Sequence, residues 1–184
     1  MGGIEEPGGG KRMPLMPRFV EAVFIIAVAL WVGAMMLLAV VVAPGVFAVL
    51  PSRQQAGDLM NHLFSGYYQM GALCGLVALT AGGLQAYLGR RRWGTVRFWL
   101  TGLMVVSTLY AGFIVTPRAQ MLRTQLLAPG NETGRVVLQQ AFHRAHRQAV
   151  AANAVALLSG LLVLGMVGLA ERRASPERPA ARFG

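Results

Sequence analysis

The residues of this chain whose types could do chemistry are three histidines and a set of arginines. His62, His143 and His146 offer imidazole nitrogens, and Arg118, Arg123, Arg144 and Arg147 are fixed cations. Tyr67, Tyr68 and Asn153 add polar groups within apolar surroundings. A metal ion or haem would take His62, His143 and His146 as ligands, because histidines at i and i+3 of a helix can share a centre. The run His143-Arg144-Ala145-His146-Arg147 counts against that, since its own positive charges disfavour a cation. Clustered arginines suit an anion or a lipid headgroup instead. The candidate ligand-binding set is then Arg118, Arg123, Arg144, Arg147, Asn153, Tyr67 and Tyr68. A third reading makes these residues a polar network that locks loops over helix ends. No Ser-His-Asp, Cys-His, phosphate-loop or paired-carboxylate arrangement is present. The expectation is therefore a non-enzymatic protein with no resident cofactor, with metal or haem as the alternative.

Such residues need elements to hold them. The chain has 184 residues, 55% hydrophobic and only 13% charged. Soluble domains carry about 25% charged residues, and the mean hydropathy of +0.52 agrees with a membrane protein. About 20 apolar residues cross the hydrocarbon of a bilayer as a helix. Four stretches meet or approach that length, at about 19–50, 63–88, 96–116 and 149–170. The fold class is all-α, a four-helix transmembrane bundle, with no room for a soluble domain.

In chain order, residues 1–18 read as a flexible tail rich in Gly and Pro. Lys11, Arg12 and Arg18 resemble the start of a signal peptide, but the run Phe19 to Val42 far exceeds a cleavable core of about 7–15 residues. Glu21 reads as a solvated or interfacial acid in the first turn. Pro44 predicts an end or kink, and Pro51 a second stop. Ser52 to Asn61 reads as a short polar connection. Gly71-x-x-x-Gly75 in the second stretch predicts close helix packing. Pro117 predicts the end of the third span. Beyond it, Arg118 to Arg123 still looks helical, Pro129-Gly130-Asn131 reads as a turn, and a helical pattern from Gly134 feeds into the fourth span. Helices 3 and 4 should thus extend past the membrane as a hairpin. Residues 171–184 read as a flexible basic tail.

At this spacing, His143, His146, Val150 and Asn153 share about 80° of one helix face. All three histidines fall on the same side of the bilayer as Arg118, Arg123, Arg144 and Arg147. Lys11, Arg12, Arg18, Arg90, Arg91, Arg92, Arg97 and the four tail arginines fall on the other. The tally of 17 Lys and Arg favours both termini in the cytoplasm. The net charge of +10 is then a topology signal rather than a nucleic-acid footprint. Cys74 alone allows no intrachain disulfide and reads as a packing residue. There is a faint internal echo: Ala43-Pro44 leads to Phe64 as Thr116-Pro117 leads to Phe142.

Trp31-x-Gly33, Ala43-Pro44-x-x-Phe47-x-x-Leu50, Ala56-Gly57, Phe64-x-x-Tyr67-Tyr68, Thr116-Pro117-Arg118, and Phe142-His143-Arg144 with Asn153 occur in that order. As an ordered set, over about residues 19–170, they resemble the domain-of-unknown-function family 4149, the transmembrane protein 205-like proteins. The resemblance implies a four-span membrane protein, and animal relatives are linked to tolerance of metal-based drugs. The polar cluster itself is expected to bind a small ligand, ion or lipid headgroup in a transport or tolerance role. Either His143 or His146 could fill the family's histidine near the fourth span, although the hydroxyl residue expected after it is missing. Expected partners are the lipid bilayer, a second copy or a larger membrane complex, in a bacterial inner membrane.

Overall fold

The computed structural model describes residues 15–88, 92–128 and 134–174. Helix α1 (Leu15–Leu37) runs into a π-helical segment, π1 (Leu38–Val42), and on into α2 (Ala43–Val49). The chain returns through α3 (Arg53–Leu88). It rises again through α4 (Arg92–Leu109), a second π segment, π2 (Tyr110–Val115), and α5 (Thr116–Leu127). Helix α6 (Arg135–Ala174) brings it back. Among the described residues, four stretches are long and apolar enough to cross a membrane: Arg18–Val49, Arg53–Tyr87, Thr95–Leu127 and Arg135–Ala170. They form an up-down-up-down ring in which α1 and α4 each pack against both α3 and α6. The end of the bundle holding α2, α5 and the starts of α3 and α6 is here the distal end.

Neither in-span proline stops its helix. Proline lacks the N–H that continues the ladder, and its ring crowds the carbonyl four residues back. In lipid no water can replace the lost bond. Widening one turn to i→i+5 bonding relieves both problems. Ahead of Pro44, the Ala43 N–H donates to the Leu38 carbonyl. Ahead of Pro117, the Thr116 N–H donates to the Ala111 carbonyl. The third helix therefore continues through Pro117 to Leu127, in line with the helical pattern at Arg118 to Arg123.

The connection expected at Ser52 to Asn61 is also helix. Leu50 is extended, with ψ 134°, as the residue before a proline prefers. Ser52 then caps α3: its Oγ accepts the Gln55 N–H at 3.1 Å. Ser52-x-x-Gln55 matches the capping-box pattern that starts helices. The last helix runs unbroken from Arg135 to Ala174, as its pattern predicts, and reaches into the expected C-terminal tail. At the other end α1 begins at Leu15, inside the expected N-terminal tail. The turn expected at Pro129-Gly130-Asn131 lies outside the described residues, as do Arg90 and Arg91.

The core is built from large side chains seated on glycines. Trp31 is fully buried, and its indole lies across Gly71 and Gly75. A Cβ at Gly71 would sit 2.9 Å from Trp31 Nε1, and one at Gly75 would sit 2.9 Å from Val105 Cγ2 and 3.0 Å from the indole edge. The Gly71-x-x-x-Gly75 notch thus admits a tryptophan, not a backbone. On α6, a Cβ at Gly160 would fall 2.5 Å from Val32 Cγ2 and 3.1 Å from Met104 Sδ.

The two notches are equivalent. One interval along the chain takes Trp31 to Met104, Val32 to Val105 and Pro44 to Pro117. A second takes Gly75 to Gly160 and Tyr68 to Asn153. Gly75 meets Trp31 and Val105; Gly160 meets their counterparts, Met104 and Val32. The hairpins α1–α3 and α4–α6 are parallel repeats about an axis along the bundle. The prolines of the internal echo correspond. The phenylalanines do not, because the second interval takes Phe64 to Ala149.

At the end opposite the distal end, Glu21 is not a free interfacial acid. Its Oε1 accepts from Arg97 Nη2 at 2.7 Å, joining α1 to α4. The Arg97 guanidinium also lies 4.7 Å from the centre of the Phe24 ring. Only 15% of the Arg97 side chain is exposed, against 36% for Glu21. Arg97 is therefore an interhelical clasp rather than a loop charge. Two predictions follow, both read by thermal unfolding in detergent. Gly75→Leu should destabilise the bundle by about 1–3 kcal/mol through overpacking. Gly165→Leu should leave the midpoint nearly unchanged, since nothing lies within 4 Å of its Cβ position. Equal losses at the two sites would refute the seating of Trp31.

Candidate functional site

Tyr68 is the centre of the distal end. It is buried beside the core and lies against Tyr67, ring centres 5.0 Å apart. Its hydroxyl accepts from Asn153 Nδ2 at 3.3 Å and pairs with Thr116 Oγ1 at 3.4 Å. Asn153 Nδ2 also donates to the Ala149 carbonyl at 3.0 Å. The single hydroxyl proton of Thr116 goes to the Ala111 carbonyl at 2.8 Å, which leaves Thr116 Oγ1 to accept from the Tyr68 hydroxyl. The Ala111 carbonyl thus accepts both the N–H and the hydroxyl of Thr116. The ring of Tyr68 needs Gly112 beneath it, because a Cβ there would fall 2.7 Å from Tyr68 Cγ. Asn153 Oδ1 is buried without a hydrogen-bond partner. This network couples the second, third and fourth spans within the region expected to face lipid, where polar groups must find one another.

A second layer sits further out. Arg123 Nη2 donates to the Gln54 carbonyl at 2.7 Å and pairs with Asp58 Oδ1 at 3.0 Å. The guanidinium lies flat on Gly57: a Cβ there would come within 2.8 Å of Arg123 Cζ. Gln120 Nε2 donates to Asn61 Oδ1 beside it. Arg123 thereby clamps α5 onto the first turns of α3, with Asp58 as its ion-pair partner.

The expected ligand set divides accordingly. Tyr67 and Tyr68 are buried, and Asn153 is half-buried. Arg123 is engaged. Arg118, Arg144 and Arg147 are exposed, and no carboxylate among the described residues pairs with them. His62, His143 and His146 are exposed too. The Phe142 ring lies 6.4 Å from His146, nearly parallel, and 6.0 Å from His143. Among the described residues no three His, Cys, Asp or Glu side chains gather where they could share a metal ion. Thr116, Gln120 and Gly112 join the site without having been expected there. Thr116 stood in the Thr-Pro-Arg motif; Gln120 carried no signal.

The sequence matches the family described as "Domain of unknown function (DUF4149)" over residues 26–127, more than half of the chain. The chain belongs to the DUF4149 family. The matched region takes in α3 and both in-span prolines, so it contains Tyr68, Thr116 and Arg123 but stops short of α6. The resemblance over Phe142-His143-Arg144 and Asn153 lies beyond it. No curated protein and no solved structure matches the chain.

Removing the Tyr68 hydroxyl should be mild, because Asn153 and Thr116 each still donate to a helix carbonyl. Tyr68→Phe is expected to cost about 1 kcal/mol, the scale of interhelical hydrogen bonds in membranes. Gly112→Val should cost about 1–3 kcal/mol, since it strikes the root of the tyrosine rather than a flexible tip. Chemical denaturation in mixed micelles would rank them, and a larger loss for Tyr68→Phe would contradict this geometry.

Proposed function

We propose that this DUF4149 protein is a non-enzymatic integral membrane protein whose distal end binds an anionic headgroup through Arg118, Arg144 and Arg147. One observation carries the reading. These arginines stand exposed and pair with no carboxylate among the described residues, while Asp58 at the start of α3 is already held by Arg123. Guanidinium suits phosphate because its N–H fork matches the oxygens of the anion. The charge tally favours chain ends in the cytoplasm, which puts the headgroup site on the outer side of the membrane. A role in transport or tolerance would begin from such binding.

A second reading, an accessory subunit of a larger membrane assembly, has one observation in its favour. Gly66, Gly165 and Gly168 have nothing within 4 Å of their Cβ positions, so a partner helix could approach there. The first reading is tested by lipid titration. Each basic residue near a membrane surface contributes about 1 kcal/mol toward an anionic lipid. Arg118→Gln, Arg144→Gln and Arg147→Gln together should therefore weaken phosphatidylglycerol binding roughly 100-fold. Phosphatidylcholine binding should not change, and added salt should erase the difference. Equal affinity of the native protein for the two lipids would sink the proposal.

A further inference from the structure

The repeats have diverged at one place. Each hairpin has a groove on its outside, beside its π segment. The first lies between α1–π1 and α3 and measures about 180 Å³. The second lies between α4–π2 and α6 and measures about 420 Å³. The two intervals that relate the hairpins also relate the groove walls. Ala34 corresponds to Ser107, Leu37 to Tyr110, Gly66 to Ala151 and Met70 to Val155. The difference in size has a local cause, since Tyr67 in the first groove is replaced by Ala152 in the second.

On the wall formed by the first helix of each hairpin, the replacements add polar groups, while Tyr67 to Ala152 on the other wall removes one and opens the space. The first wall offers Ala34 and Leu37; the second offers a hydroxyl at Ser107 and a phenol at Tyr110. Gln148 adds an amide to the second groove, where the first hairpin has Leu63 at the corresponding position. At the distal end Arg118, Arg144 and Arg147 correspond to Gly45, Leu59 and His62. Arg144 precedes Gln148, and Arg147 precedes Ala151, by one helical turn on the same face. From the distal end inward, this side of the bundle thus passes from cations to polar groups to an apolar trough.

We propose that the second groove holds one acyl chain of an anionic phospholipid whose phosphate rests on Arg144 and Arg147. The inference rests on the headgroup reading above and adds the seat of the chain. Selection must come from the head and its linkage, because an apolar trough alone cannot prefer one lipid tail over the surrounding ones. Gln148 and Tyr110 stand where the ester linkage would lie. The groove below supplies residence.

The test uses the full chain in detergent and counts bound lipid by native mass spectrometry. Palmitoyl-oleoyl phosphatidylglycerol is compared with phosphatidylcholine of the same chains. Ala151→Leu with Ala152→Tyr fills the groove, the second change restoring the residue of the first hairpin. It should lower phosphatidylglycerol retention at least fivefold and leave short-chain dihexanoyl phosphatidylglycerol binding intact. Ala34→Leu, in the first groove, should change neither. Unchanged retention in the filled variant would overturn the groove and leave the headgroup reading standing. No preference for phosphatidylglycerol in the native protein would overturn both. Should the filled variant fail to fold, phosphatidylglycerol carrying a diazirine on its acyl chain can be cross-linked to the native protein. Adducts on Val106, Tyr110 and Ala151 to Val155 are expected. Adducts at the first groove, or spread evenly over the bundle, would refute the assignment.

Discussion

A backbone inside lipid has no water to bond with, so every interruption of a helix must be repaired within the protein. This constraint shapes the distal half of the bundle. Pro44 and Pro117 each remove one ladder bond, and each is answered by a widened turn. The repair lengthens both helices past the point where a proline would end them in water. It also aims their ends. Thr116, next to its proline, satisfies the exposed Ala111 carbonyl and at the same time reaches Tyr68. Tyr68 in turn receives Asn153 from α6. The polar network of the distal end is thus an outgrowth of the way the backbone copes with Pro117.

Much of the frame was legible in the sequence, because hydropathy and span length are nearly sufficient in a membrane. The unbroken entry of α6 into the fourth span was also legible. Pro44 left an end or a kink open, and the helix runs on through a widened turn to Val49. The stop expected at Pro117 does not occur, since the rule that proline ends helices is a rule for water. The start of α3 was written in Ser52-x-x-Gln55, but the polar composition of residues 52–61 concealed it. At the site, Tyr68 and Asn153 stood out because polar residues in apolar runs require partners. Gln120 could not stand out, being one polar residue in a polar stretch. That Arg123 is spent on Asp58 and Gln54, while Arg118 is not, depends on which face of α5 meets Gly57. Periodicity alone does not fix that face. Trp31 looked like a motif residue, and its partner turned out to be the Gly71-x-x-x-Gly75 notch that had suggested a neighbouring backbone.

The repeat explains why a chain with few specific side-chain bonds still has a defined interior. Trp31 with Val105 on Gly75, and Met104 with Val32 on Gly160, are two versions of one joint. In lipid such joints depend on shape, since apolar burial gives no net drive between helices. Each joint places a large residue of one span and a small branched residue of another against a bare backbone. The register of both hairpins is set together, and the asymmetric residues are left free to differ. The polar and charged groups of the second hairpin are such differences, laid over a common scaffold.

The two bends are not equally held. In the third span the carbonyl exposed by the bend is occupied twice by Thr116, once through its N–H and once through its hydroxyl. The corresponding residue in the first span is Ala43, which has no hydroxyl to offer. A π turn is one residue too many in a helix, and a residue that such a turn passes is rotated about the helix axis by about 100°. Thr116 pins that extra residue in the third span. The first span lacks the pin, so the two bends are held unequally: the Leu38 carbonyl receives one bond across its turn and the Ala111 carbonyl two.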